Sequence, residues 1–154
     1  MERAIVSFEL DEEGDWTARL NCGHRQHVRH QPPFINRPWV MTPAGRESMR
    51  GTSLNCVRCD RRELPLELQR IQLIQFRQSD DFPAELGQGH ATAIGVWSQL
   101  RVHQGQVRLW LQTLEPAELT LVASEQISIP PQVRFQLKPG SDAQFDLEYL
   151  AYHG

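Results

Sequence analysis

Three cysteines and a closely following histidine carry the densest chemistry in this sequence. Cys22-Gly23-His24 sets two metal donors one residue apart, and Cys56-Val57-Arg58-Cys59 sets two more with two residues between them. Two intervening residues let both thiolates reach one tetrahedral centre, and glycine lets the chain bend so that Cys22 and His24 face the same ion. Together they form a Cys₃His set that uses every cysteine in the chain and has 31 residues between its two pairs. Four protein donors close a tetrahedral shell, whereas catalytic zinc keeps a position open for water. The expectation is one structural Zn²⁺ per chain. Two other readings of the CxxC pair are a redox dithiol and inert small apolar residues, although no βαβ pattern of the thioredoxin kind surrounds it. His27 and His30 follow His24 at three-residue steps, which one helical turn would align. Either is an alternative fourth ligand, or a hydrogen-bond donor to a thiolate.

These donors need elements to hold them. Ala4–Leu10 and Trp16–Leu20 alternate apolar and polar residues, and Asp11-Glu12-Glu13-Gly14-Asp15 between them reads as the turn of a hairpin. The second strand runs directly into Cys22, and the strand-like segment Thr52–Asn55 runs directly into Cys56. Between the pairs, Pro32, Pro33 and Pro38 stiffen a loop, while Phe34 and Trp39 are expected to form a small satellite core. Thr42-Pro43 reads as an N-cap with proline at the first helical position, and Gly51 as the stop of a short helix. A domain this small has little core, so the metal is expected to supply much of its folding energy.

After Arg62-Glu63-Leu64-Pro65 the pattern changes. Seven strand candidates follow: Leu68–Arg77, Ile94–His103, Gln106–Leu114, Glu118–Ala123, Gln126–Ile129, Gln132–Leu137 and Gln144–Tyr152. Gln104-Gly105 links two of them, and Lys138-Pro139-Gly140-Ser141-Asp142 links two more. Val107, Leu109 and Leu111 share a face, as do Val133, Phe135 and Leu137. Short antiparallel strands in this number fit a minimal jelly roll. The chain therefore divides into residues 1–63, a zinc knuckle, and residues 64–154, a β-barrel.

Composition bounds the rest. The 154 residues are 40% hydrophobic with a formal net charge of −3, which argues against disorder. No apolar run approaches a membrane span, and the acids of Met1–Trp16 stand where a signal peptide would be basic then apolar. A cytoplasmic protein without a membrane partner is expected, its thiols kept reduced. Charge is unevenly spread: nine arginines lie between Arg19 and Arg62 against only Glu47 and Asp60, whereas acids outnumber bases after Pro65. This is either a solvated face or a surface for an anion or an acidic partner.

Two resemblances add to this reading. Gly14-Asp15-Trp16, CGHRQHVRH at 22–30, Pro32-Pro33, RPWV at 37–40 and CVRCD at 56–60 resemble a small bacterial family of unknown function, over roughly residues 3 to 62. That resemblance implies a zinc-binding fold and no particular activity. PAELGQGHATAIGVWSQLRVHQGQVRLWL at 83–111 and SEQISIPPQVRFQL at 124–137 resemble the tellurite-resistance-protein-like, cupin-type domain of the TehB/YeaR kind. It implies a small cupin-like barrel associated with tellurite and with nitrosative or oxidative stress. Members often carry a histidine shortly after the proline pair; here Phe135 takes that position, and the cupin HxH and glutamate are not evident. No metal is therefore assigned to the barrel. Its possible pocket residues are His90, Trp97, Arg101 and Arg108, with the arginines suited to an anionic ligand if they point inward.

The fold class expected is mainly β, a zinc knuckle followed by a cupin-like jelly-roll barrel. The leading function is a non-enzymatic zinc-binding stress-response protein whose barrel takes a small molecule or anion. An enzyme acting on a small oxyanion or reactive species would need an open coordination site or a convergent acid/base pair, and no catalytic residue is identified. An adaptor binding nucleic acid or an acidic protein through the arginine-rich knuckle is the third reading. A homodimer is compatible with a jelly roll of this size.

Overall fold

The computed structural model describes residues 1–77 and 82–152. It divides into two compact units, Met1–Arg61 and Arg62–Gly154.

In the first unit, β1 (Glu2–Leu10) and β2 (Trp16–Leu20) form the hairpin anticipated from their alternation. Asp11 builds its turn: the Oδ1 atom accepts hydrogen bonds from the amides of Glu13 and Asp15 at 2.9 and 2.8 Å. An aspartate bonding the backbone two residues ahead mimics a turn, and Gly14 takes the positive φ of 84° that the reversal requires. The chain then adds β3 (Arg25–His27) to the edge of β2, and β4 (Ser53–Asn55) to the other edge of β1. The sheet order is β3-β2-β1-β4.

Between β3 and β4 lie a 3₁₀ turn (Pro38–Met41) and α1 (Pro43–Ser48). Thr42 caps α1 as its sequence suggests, its side chain accepting from the Gly45 amide. The satellite core is only half present. Trp39 packs edge-on against Phe8 with centroids 5.8 Å apart, but Phe34 is 94% exposed. Phe34 sits in a tight turn closed by reciprocal backbone hydrogen bonds between Gln31 and Ile35, which carries its ring away from any apolar surface.

The second unit is a jelly-roll-type pair of sheets. β5 (Leu68–Phe76), β11 (Gln144–Tyr152), β6 (Val96–Gln104) and β9 (Gln126–Ile129) make one, in that order. β10 (Arg134–Pro139), β7 (Gln106–Gln112) and β8 (Ala117–Val122) make the other. All seven strand candidates find a strand. Alternation fixes the faces: Val107, Leu109, Leu111, Phe135 and Leu137 are buried, while Arg108, Gln136 and Lys138 alternate to the other side. Gly105, at φ 70°, turns β6 into β7. One short helix was not legible in the sequence, α3 (Ala84–Gln88), which is anchored by the buried Leu86.

Candidate metal centre

Sheet topology brings the two donor pairs together. β2 and β4 both run antiparallel to β1 and flank it, so their C-terminal ends lie side by side at the start of β1. Backbone hydrogen bonds tie each exit to that start: Asn21 donates to the Ala4 carbonyl at 2.9 Å, and Cys56 to the Met1 carbonyl at 2.7 Å. After β2 the chain reverses through Gly23 (φ 94°), which presents Cys22 and His24. After β4, Cys56 stands at the residue preceding the single turn of α2 (Val57–Asp60), which carries Cys59 back toward it. The spacing of the CxxC pair is thus met by a helical turn.

The donor atoms of Cys22, His24, Cys56 and Cys59 all lie within 4.8 Å of one another, and all four residues are buried. Nδ1 of His24 is 3.5, 3.3 and 3.7 Å from the sulfurs of Cys22, Cys56 and Cys59. The Cys22 and Cys56 sulfurs are 3.9 Å apart. This cluster could hold a metal ion.

The electrostatics of the bare cluster point the same way. Burial opposes a charge on His24, but hydrogen bonds to the Cys22 and Cys56 sulfurs outweigh it and lift the imidazole to about 9. Cys56 is pushed down by its sulfur neighbours, Cys22 foremost, and Cys59 is pushed up by the same neighbours. Three sulfurs this close cannot all be anions without a cation among them. Arg3, 4% exposed, favours the Cys59 thiolate through its charge. Three thiolates around a dication would leave a net charge of −1, opposite in sign to the Arg3 guanidinium. Arg3 lies outside both cysteine motifs, and only its position on the central strand between them would have drawn attention to it.

The other two histidines stand apart from the cluster. The helical turn that would have aligned them is replaced by β3, in which His27 pairs with Thr17. Nδ1 of His27 is 3.5 Å from Asp11 Oδ2, and Nδ1 of His30 accepts from the Arg37 amide at 3.0 Å. Beside them the arginine excess is matched by acids from the preceding hairpin. Arg19 and Arg25 both reach Glu9, at 3.1 and 3.0 Å, and Arg29 reaches Asp15 at 3.0 Å.

In the barrel, His90 forms a backbone bridge with Phe135, and its ring meets the edges of Phe135 and Tyr149 with centroids 5.7 and 6.3 Å away. The other three pocket candidates sit differently. Trp97 and Arg101 alternate with the inward Ser98, Leu100 and Val102, which places them on the outer face of their sheet. Trp97 is nonetheless fully buried, and Arg101 bonds Gln126. Arg108 pairs with Glu118 and covers the Trp110 ring at 4.9 Å. Neither arginine faces the barrel interior. Among the described residues no helix is long and apolar enough to cross a membrane.

Residues 6–63 match a family described as a protein of unknown function (DUF3565), and residues 73–147 match the TehB-like domain. Among solved structures, the chain is similar to TehB from Haemophilus influenzae, with 20% identity and a TM-score of 0.51 over 56% of this chain. It spans only 32% of that longer protein. A protein from E. coli (strain K12) aligns at 18% identity and a TM-score of 0.53, over 60% of this chain and 89% of its own. These likenesses establish a shared barrel fold. No curated protein matches the sequence.

Proposed function

We propose that this chain is a non-enzymatic zinc-binding protein of the tellurite- and oxidative-stress type. A structural Zn²⁺ holds the first unit together, and the barrel takes a small molecule. The donor geometry carries the zinc assignment. Zinc bonds of about 2.3 Å to sulfur and about 2.0–2.1 Å to imidazole nitrogen give tetrahedral edges of about 3.8 Å between sulfurs and about 3.6 Å between nitrogen and sulfur. Here the Cys22 and Cys56 sulfurs are 3.9 Å apart, His24 Nδ1 is 3.3–3.7 Å from the three sulfurs, and all donor separations lie within 4.8 Å. Four protein donors leave no position for water or substrate, which favours a structural role. Bound zinc would supply cross-linking of two strand ends, and Arg3 would offset the residual negative charge. Thiolates of this kind persist where the compartment is reducing, so we place the protein in the cytoplasm. The TehB-like match supports the stress-related part of the proposal. The pairing of Arg19, Arg25 and Arg29 with acids weakens the nucleic-acid adaptor reading, because those guanidiniums are already neutralised.

Elemental analysis with native mass spectrometry, on wild type and Cys56→Ser, tests the zinc assignment. One zinc per chain in the wild type, lost in the variant together with a lower melting temperature, is the expected result. A well-folded wild type without metal overturns it and brings the redox dithiol forward.

A further inference from the structure

The inner face of the barrel is apolar along most of its length, with Val102, Val107, Leu109, Leu137, Phe145 and Leu147 all buried. One layer differs. Gln72, Tyr149 and Ser98 are direct cross-strand partners on β5, β11 and β6, so their side chains share this face. His90 joins the layer through its contacts with Tyr149 and with Phe135 of the opposite sheet.

Ser98 is fully buried, and its hydroxyl has no hydrogen-bond partner among the described residues. A buried hydroxyl left unmet costs about 1–3 kcal/mol. The neighbouring inward position of β6, Leu100, is aliphatic, as the interior elsewhere requires. Along β5 the inward residues pass from the buried Phe76 through the half-buried Ile74 to the exposed Gln72, so solvent lies closest to this layer at the Gln72 end. Burial within the layer thus increases from the exposed Gln72 amide, through the half-buried His90 and the buried Tyr149, to the fully buried Ser98 hydroxyl.

The charge around this layer selects among ligands. Arg101, Arg108, Arg134 and Lys138 alternate to the outer faces and Arg70 is held by Glu148 of the outer face at 2.9 Å, so among the described residues no strand cation faces inward to hold an anion. Burial and the charge of Glu85 both hold the Tyr149 phenol protonated, and the same carboxylate repels anions. A single imidazole beside two hydroxyls is a poor set for a metal, which needs several convergent ligands.

We propose that His90, Ser98 and Tyr149 form a binding site for a small uncharged oxygen compound, a ketone, aldehyde or alcohol, entered from the Gln72 end of the barrel. This rests on the reading that the barrel takes a small molecule, and it replaces the anionic ligand that inward arginines would have favoured. The oxygen accepts from the Tyr149 phenol and meets the Ser98 hydroxyl, while its carbon body lies against Phe135 and Leu111, which are paired across β10 and β7.

The test uses the full chain with ¹³C-labelled tyrosine, which gives two ring signals, Tyr149 and the reference Tyr152. Cyclohexanone is the uncharged probe, and acetate and phosphate are the anionic ones. Cyclohexanone is expected to shift Tyr149 saturably and leave Tyr152 in place. Ser98→Ala should weaken that binding about tenfold, as loss of one hydrogen bond does. Ser98→Val, which fills the space in a folded barrel of unchanged or higher melting temperature, should abolish it. Equal binding by Ser98→Val, or no Tyr149 shift with cyclohexanone, overturns the proposal. If acetate or phosphate alone moves Tyr149, the uncharged ligand class is wrong while the barrel-binding reading stands. If no probe moves any barrel resonance, both fall.

Discussion

Stripping the proposed metal from the intact chain with a strong chelator is the perturbation that distinguishes its two units. The first unit buries only four large aliphatic side chains, Ile5, Leu20, Val28 and Val40. At about 1.5–3 kcal/mol each they contribute about 6–12 kcal/mol before conformational entropy is subtracted. A structural zinc contributes about 10–16 kcal/mol in small domains at neutral pH. Domains are stable by only about 5–15 kcal/mol in total, so removing the ion leaves β1–β4 without net stability. The barrel is different, because Phe76, Phe135, Phe145 and a series of buried leucines give it a core of its own. Hydrogen exchange read by mass spectrometry, with native mass spectrometry following the ion, distinguishes the two. On chelation at pH 7, amides of β1, β2 and β4 should lose their protection, by at least about four orders of magnitude. Amides of β6, β7 and β11 should be unaffected. If the mass falls by one ion while β1–β4 keep their protection, their apolar contacts suffice and the reasoning about the metal is wrong.

Three further outcomes follow from the same geometry. Metal affinity should rise with pH: in the bare cluster His24 is lifted to about 9 and Cys59 is pushed up, so both are protonated at neutral pH and must release protons to bind. Displacing a proton from each of these two donors makes retention at least about a hundredfold tighter per pH unit between 7 and 8, and a competition titration with a colorimetric chelator showing no pH dependence would contradict this. Arg3→Gln removes the guanidinium that favours the Cys59 thiolate and should weaken metal binding about 10–100-fold in the same titration; unchanged affinity would show that Arg3 only fills space. Gly105→Ala should cost the barrel about 1–3 kcal/mol in denaturant unfolding, because φ is 70° and a Cβ would lie 3.0 Å from the Ala143 Cα; a neutral substitution would mean that the turn relaxes freely.

The barrel was legible because its signals are local. Alternation in segments such as Val107–Leu111 fixes which side chains face inward, and Gln104-Gly105 marks the reversal between β6 and β7. The donor pairs were legible for the same reason, since each is contained within four residues. What closes the gap between them was not, because pairing β4 with the free edge of β1 joins residues about fifty positions apart, and no local pattern encodes it. His27 and His30 illustrate the converse error. Their three-residue spacing suits a helix, but the chain leaving Gly23 has the unpaired edge of β2 beside it, and the ladder hydrogen bonds offered there decide the conformation. Likewise, nothing local marks Trp97 and Arg101 as outward; that depends on the register of β6 against β11.

The arginines show how a count along the chain can mislead about a surface. Counted from Arg19 to Arg62 they form a basic segment, yet the unit Met1–Arg61 as a whole holds nine arginines and eight acids. The missing acids lie just upstream, in and around the first hairpin, and the β1–β2–β3 sheet sets them opposite the basic residues. Glu9 faces two guanidiniums at once, and Asp11 and Asp15 take His27 and Arg29. Arginine fits these places because its planar fork reaches a carboxylate and a backbone carbonyl together, as Arg19 does with Glu9 and Gly23. The Arg19 contact lands on the residue between Cys22 and His24. Arg19 is therefore part of what positions the donor loop, and the charge pairing of this unit and its candidate metal site share one sheet.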